Sequence, residues 1–204
     1  MNHLKNIIFD LGGVLLDIDY NKTISAFKKL GIENFDEMFS QFNANALFEK
    51  LERGHISEND FYTAIKTCIP EPVSNEMIEW AWNAMLLGFR KEKLDLLQSL
   101  VPRYKIFLLS NANVIHIRCF NKIFTKATGK PALNSYFSKT WYSYLVGLRK
   151  PGRDIYEFVL KDGNLLAAET LFIDDTPANI DTAKELGINT HLLLRGETIE
   201  QLGL

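Results

Sequence analysis

The sequence predicts an α/β fold: a doubly wound parallel sheet into which a helical bundle is inserted. Three observations carry this expectation. Through the second half of the chain, short apolar runs ending in polar or acidic residues alternate with helical periodicity, the pattern of strands and crossover helices. One further run of this kind stands alone near the N-terminus. Between it and the alternating part lies a long stretch of helical periodicity with no convincing strand.

Taken in order, Ile7, Ile8 and Phe9 form a continuous apolar run over 6–9 that ends in Asp10 and the pair Gly12-Gly13, a buried strand entering a tight loop. Over 21–100 the period is helical, with about four helices. Ile24, Phe27 and Leu30 share a face that Gly31 ends. Phe35, Met38, Phe42, Phe48 and Leu51 continue to Gly54. Ser57-Glu58-Asn59-Asp60 is a capping box for a helix with Phe61, Ile65 and Cys68 inward. Ser74 caps the next helix, where Met77, Ala81 and Met85 share a face. Strands follow at 104–109, at 139–144 more weakly, at 170–173 and at 190–194. Helices lie between them, including 154–160 and 179–186, the latter stopped by Gly187. The expected division is a core of residues 1–18 and 96–204 and a helical insertion of residues 19–95.

At 204 residues the chain fits one large domain or one domain with an insertion. Hydrophobic residues are 47% and charged residues 24%, which excludes disordered and fibrous classes. With 23 basic and 25 acidic side chains the net charge is -2, so nothing points to nucleic acid. No apolar run approaches the ~18 residues of a membrane span. The N-terminal run is too short for a signal segment and is broken by Asp10. Cys68 and Cys119 share no motif spacing and read as small core residues in a reducing compartment. A cytoplasmic protein with no membrane or nucleic-acid partner is expected.

In such sheets ligands bind beyond the carboxyl ends of the strands. Asp10, Ser110, Asp174 and Asp175 fall on those ends, and Lys150 lies in a loop before Pro151. Each alone is an ordinary cap or turn residue; together they suit phosphoryl transfer. Clustered carboxylates need a cation, and all-oxygen ligation favours Mg²⁺ over Ca²⁺. A strand-end Asp can attack phosphorus, while a Ser hydroxyl, the N–H groups of a Gly-rich loop and a Lys ammonium stabilise the transferred group.

Phe9-Asp10-Leu11-Gly12-Gly13-Val14-Leu15-Leu16-Asp17, Leu108-Leu109-Ser110-Asn111, Gly147-Leu148-Arg149-Lys150-Pro151 and Phe172-Ile173-Asp174-Asp175-Thr176-Pro177-Ala178-Asn179 resemble, in order, the four motifs of the haloacid dehalogenase (HAD) superfamily. The resemblance spans essentially the whole chain and implies a HAD-like Rossmannoid core with a helical cap. It implies Asp10 as nucleophile and metal ligand, and Ser110, Asn111 and Lys150 around the phosphoryl group with Gly12 and Gly13. It implies Mg²⁺ held by Asp10, the Gly12 carbonyl, Asp175 directly and Asp174 directly or through water, with Asn179 orienting the acidic loop. Asp10-Leu11-Gly12-Gly13-Val14, Glu52-Arg53-Gly54-His55-Ile56-Ser57 and Ser110-Asn111-Ala112-Asn113 are similar to bacterial α-D-glucose-1-phosphate phosphatase-type members. Leu145 departs from them, standing where many relatives carry an acid.

A larger departure is Gly12. Most phosphatases of the superfamily place there a second Asp, which protonates the leaving group and activates water, a contribution typically of about 10²–10⁴-fold. Three readings stay open: an active phosphatase whose substrate has a better leaving group, one in which another group or a water replaces the acid, and a weak catalyst that binds phosphorylated ligands. The expected function is hydrolysis of a small phosphorylated metabolite, such as glucose 1-phosphate, through an aspartyl phosphate; the alternative is a phospho-ligand binding or regulatory protein. His55 and His116 are minor candidates for the missing acid, and Arg53 for a substrate contact. Trp80, Trp82 and Trp141 read as core, with Trp82 keeping some claim to sugar stacking. Asp17 and Asp19 read as turn or hinge residues.

Overall fold

A strand covered on both faces must be apolar throughout, and β1 (Asn6–Phe9) is buried at every position. The computed structural model describes residues 4–39 and 46–204. After β1 come β2 (Leu16–Ile18), α1 (Tyr20–Lys29), α2 (Phe35–Phe39), α3 (Ala46–Glu52), α4 (Glu58–Lys66), α5 (Asn75–Asn83), β3 (Leu86–Phe89) and α6 (Lys91–Leu100). The alternating part follows: β4 (Lys105–Ser110), α7 (Val114–Thr128), β5 (Lys139–Tyr142), α8 (Ser143–Val146), α9 (Arg153–Asp162), β6 (Thr170–Asp174), α10 (Pro177–Glu185) and β7 (Asn189–Leu192).

The main sheet has the order β5-β4-β1-β6-β7 with every neighbouring pair parallel. From β1 the chain builds outward on one side through β4 and β5, then crosses to the other with β6 and β7. The strand order therefore reverses at β1, and a crevice opens beyond its carboxyl end. Phe9 pairs with Leu108 on one side and Ile173 on the other. That register brings Asp10, Ser110 and Asp174 to one edge.

The inserted helices have a core of their own, built from stacked rings. Phe27 stacks on Phe35 at 4.0 Å between ring centres, and Phe48 on Trp82 at 5.1 Å. The Ser57 capping box forms as the sequence predicts, and Ser74 caps α5. Two polar ties join these helices to α7. Arg118 donates to Glu58 and Glu79, at 2.9 Å in each case, and His116 lies against Trp82.

Several expectations change. The stretch 21–100 does contain a strand: β3 pairs antiparallel with β2 in a two-stranded ribbon at the root of the insertion. Leu94, Leu97 and Leu100 of α6 are buried in the same cluster as Ile7, Phe9 and Leu108, so this helix packs with the sheet. Within the run from Phe35 to Leu51 the described residues form α2 and α3, and Phe42 lies outside the described residues. Met77 is exposed, and Ile78, Ala81 and Trp82 turn inward instead. Cys68 is exposed rather than inward, and Cys119 is only half-buried. β5 stops at Tyr142, where α8 begins.

Candidate active site

Four segments meet at the carboxyl edge of β1. Asp10 follows that strand, its N–H donating to the Ile173 carbonyl at 2.9 Å. Lys150 is 1% exposed, and its Nζ donates to Asp10 Oδ1 and to Asp174 Oδ2, each at 2.6 Å. Asp174 is fully buried. Its Oδ1 accepts the Thr176 N–H at 2.8 Å, and the Asn179 amide donates to both of its oxygens at 2.9 and 3.1 Å. Asp174 thus meets protein donors on both oxygens, whereas its neighbour Asp175 is exposed. Ser110 ends β4 and is nearly buried beside them.

The electrostatics follow from burial. Loss of water pushes the Asp10 carboxyl up to about 7; Lys150 opposes this, and Asp174 and Asp175 add to it. Burial and then Asp174 raise Asp175. One ammonium faces three carboxylates whose ligating oxygens lie within 4.8 Å of one another. A negative excess remains, all of it on hard oxygen donors, so the residues present fit a small divalent cation.

The loop glycines are placed for these groups. Gly13 has φ +76°, and a Cβ there would run into Asp175 Oδ2, so the position must be bare for that carboxylate to lean over the loop. Gly12 differs: its φ is ordinary and a Cβ would meet only the Ile18 side chain, Cδ1 at 3.3 Å and Cγ2 at 3.9 Å. The Asn111 side chain braces the backbone of Lys150. Its amide donates to the Lys150 carbonyl at 2.8 Å, and its oxygen accepts the Lys150 N–H at 2.9 Å. Ser143 Oγ in turn accepts the Ala112 N–H at 3.0 Å, fixing the loop after Ser110.

This geometry has named counterparts. The family model of haloacid dehalogenase-like hydrolases matches residues 4–187. The chain belongs to that family. It is 37% identical over 193 residues to a D-ribitol-5-phosphate phosphatase of Bacteroides thetaiotaomicron, covering 92% of this chain and 90% of the relative. Among solved structures, a HAD family enzyme from Bacteroides thetaiotaomicron, an aspartate-to-alanine variant in complex with magnesium and inorganic phosphate, superposes with a TM-score of 0.92. The identity is 36%, over 98% of both chains. A HAD-like hydrolase from Porphyromonas gingivalis gives 0.85 at 36% identity, over 93% of this chain and 91% of that one. An L-2-haloacid dehalogenase from Xanthobacter autotrophicus, at 20% identity and 0.63, shares the fold.

The other candidates of this HAD-like hydrolase have surroundings and partners of their own. His55 is exposed. His116 stacks on Trp82; its Nδ1 lies 3.2 Å from the Asn113 amide and its Nε2 3.2 Å from the Trp82 carbonyl. Those partners fit the neutral tautomer with hydrogen on Nε2, and burial pulls its pKa down to about 4. The role of His116 is structural. Arg53, just past the end of α3, donates to Glu49 of that helix at 2.9 Å. Trp82 and Trp141 are core residues, with Trp141 donating to Asp162 at 2.7 Å, but Trp80 is 57% exposed. Asp17 pairs with Lys93 at 2.7 Å and Arg90 at 3.2 Å, tying β2 to α6; Asp19 caps α1. Leu145 is exposed.

Sequence reasoning missed one side chain from the insertion and one from the loop before Lys150. Glu52 closes α3, and Arg149 precedes Lys150. Glu52 and Arg149 pair across 97 positions at 2.9 Å. The family-like string 52–57 is the signal that marked this turn, but the neighbouring Arg53 drew the attention.

Proposed function

We propose that the protein is a Mg²⁺-dependent phosphomonoester hydrolase acting on a small phosphorylated metabolite through an aspartyl phosphate on Asp10. The observation that carries this reading is the Asp10–Lys150–Asp174 cluster with Asp175 beside it. Asp10, Asp175 and the Gly12 carbonyl would hold the cation, with Asp174 acting through water because protein donors already meet both its oxygens. When bound, the ion supplies charge neutralisation for the carboxylates and the phosphoryl oxygens.

An Asp10 oxygen attacks phosphorus, and the bond to the leaving oxygen breaks as the new P–O bond forms. Lys150 Nζ, the Ser110 hydroxyl and the loop N–H groups face the transferred oxygens. Water then attacks phosphorus, releasing inorganic phosphate and restoring the carboxylate. The cap in this reading is residues 19–95 less α6, and it excludes water from the site. A reducing, cytoplasmic setting is part of the same reading, supported by the two free cysteines.

For the substrate, the 37% identity to a D-ribitol-5-phosphate phosphatase favours a polyol or sugar phosphate. No relative described above is named for glucose 1-phosphate. A primary alkoxide is a poor leaving group, so with Gly12 at the acid position its proton must come from water or from another group. The same glycine favours a second reading, a slow enzyme that chiefly binds phosphorylated ligands.

The test is turnover of p-nitrophenyl phosphate and of a panel of sugar and polyol phosphates with Mg²⁺, with EDTA, and with Asp10→Asn. The expected result is turnover that EDTA and Asp10→Asn each reduce to background. Wild type no faster than Asp10→Asn on every substrate would refute the hydrolase reading and leave the binding one.

A further inference from the structure

The Lys150–Asp174 contact joins two separate loops. Lys150 stands in the loop that leads into α9, and Asp174 ends the strand that leads into α10. An ion pair between loops keeps its geometry only if the loops themselves are tied. Tyr156 supplies such a tie. It lies in α9, is fully buried, and its hydroxyl donates to the Asn179 carbonyl at 2.9 Å. Asn179 lies in the first turn of α10 and is itself buried. Its side-chain amide donates to both Asp174 oxygens, at 2.9 and 3.1 Å. Asp174 Oδ2 receives Lys150 Nζ at 2.6 Å, and that ammonium also reaches Asp10 Oδ1. The bonds from Tyr156 through Asn179 and Asp174 to Lys150, and back along the chain into α9, make a closed circuit.

The circuit is packed from within. Phe172, fully buried on β6, has Lys150 Nζ over its ring, 5.3 Å from the centre. The Tyr156 ring meets the same phenyl edge-on, at 5.6 Å and 76°. Tyr156 thus supports the ammonium through Phe172 and the carboxylate through Asn179. A phenylalanine would fill nearly the same volume, and burying a hydroxyl is unfavourable without a partner. The partner here is the main chain of the residue whose side chain orients Asp174. A bond to that carbonyl fixes where Asn179 stands, and so where its amide can reach.

We propose that Tyr156 is a positioning residue of the candidate active site: it holds Asn179, and through it the acidic loop, in register with Lys150. Loss of the hydroxyl loosens Asp174 against the ammonium and against a cation held beside it. The inference rests on the phosphatase reading for its effect on turnover, and not for its effect on metal binding.

The experiment makes Tyr156→Phe and Asn179→Ala, singly and together. Mg²⁺ affinity is measured by calorimetry with the metal alone, and kcat and KM with p-nitrophenyl phosphate at saturating Mg²⁺, with melting temperatures alongside. Groups that orient metal ligands typically contribute about 10–100-fold to metal affinity or activity, and Tyr156 stands one bond further out. Tyr156→Phe is therefore expected to weaken Mg²⁺ binding and to lower kcat, each about three- to tenfold, with KM within about twofold. In the Asn179→Ala background the same change is expected to cost less than about twofold, because the amide that Tyr156 positions is gone. A residue that only packs the core would shift the melting temperature alone, so Mg²⁺ affinity and kcat within about twofold of wild type in Tyr156→Phe would overturn the proposal. An equal loss in both backgrounds would overturn it too, since the hydroxyl would then act by another route. If wild type binds Mg²⁺ but turns over no ester, the phosphatase reading alone fails, and the metal affinities decide the role of Tyr156. A wild type that binds no Mg²⁺ leaves nothing for Tyr156 to position and overturns the inference.

Discussion

The carboxyl edge of the sheet and the inserted helices solve opposite problems. At the sheet edge, buried charges are held by other polar groups: Lys150 between Asp10 and Asp174, Asn179 and Thr176 on Asp174, and Asn111 on the Lys150 backbone. In the insertion, Phe27, Phe35, Phe48, Phe61 and Trp82 pack ring on ring. The difference teaches where each kind of function can reside. A polar network tolerates little change in chemistry, because removing one partner strands another in a low-dielectric place. A ring cluster tolerates change in shape at modest cost, so the cap is the part free to alter its rim and hence its substrate.

The sharpest way to break this contrast is Lys150→Met. It leaves Asp10 and Asp174 buried without their ammonium, and is expected to cost about 3 kcal/mol of stability and at least about 10²–10³-fold in turnover. Chemical denaturation and steady-state kinetics measure the two losses. A variant as stable as wild type would show that the carboxylates do not depend on this counter-charge.

A smaller effect belongs to the seam between the regions. The folded protein keeps His116 neutral down to a pH of about 4, while the unfolded chain takes up the proton near its ordinary value of 6.5. Stability is therefore full above about pH 6.5 and falls as the pH drops towards 4, by about 3 kcal/mol in all. Denaturation midpoints at stepped pH should show this slope in wild type and lose much of it in His116→Gln. An equal slope in both would place the acid sensitivity elsewhere.

The smallest structural change expected is that of Gly12→Asp. Because φ is ordinary there and only the Ile18 side chain is in the way, the variant should fold, at a cost below about 1.5 kcal/mol. It should also raise turnover of alkyl phosphates more than that of p-nitrophenyl phosphate. A uniform loss on both would indicate that the loop itself requires glycine.

The contrast between the regions also governs what could be read from the sequence. The strands at 6–9, 104–109 and 170–173 were legible because a doubly covered strand is a continuous apolar run, and each leads into a residue of the candidate site. The ribbon was not. Leu16–Ile18 is three residues long, and its partner Leu86–Phe89 carries Gly88 in mid-strand, so neither shows a period. Met77 was misplaced because α5 turns Ile78, Ala81 and Trp82 inward, one position round the helix. Asp10, Ser110, Lys150, Asp174 and Asp175 were nameable from local motifs. The Glu52–Arg149 pair was not, because it depends on how the cap lies against a loop almost a hundred residues away.

The grip of Asn111 on Lys150 has a last consequence. The amide holds the main chain on both sides of that residue, across 39 positions, and so closes the whole intervening excursion at its base like a clasp. The position of the ammonium that faces Asp10 is thereby set from the end of β4, and any graft of the segment between Asn111 and Lys150 has to keep Ser143, which steadies the same loop from within it.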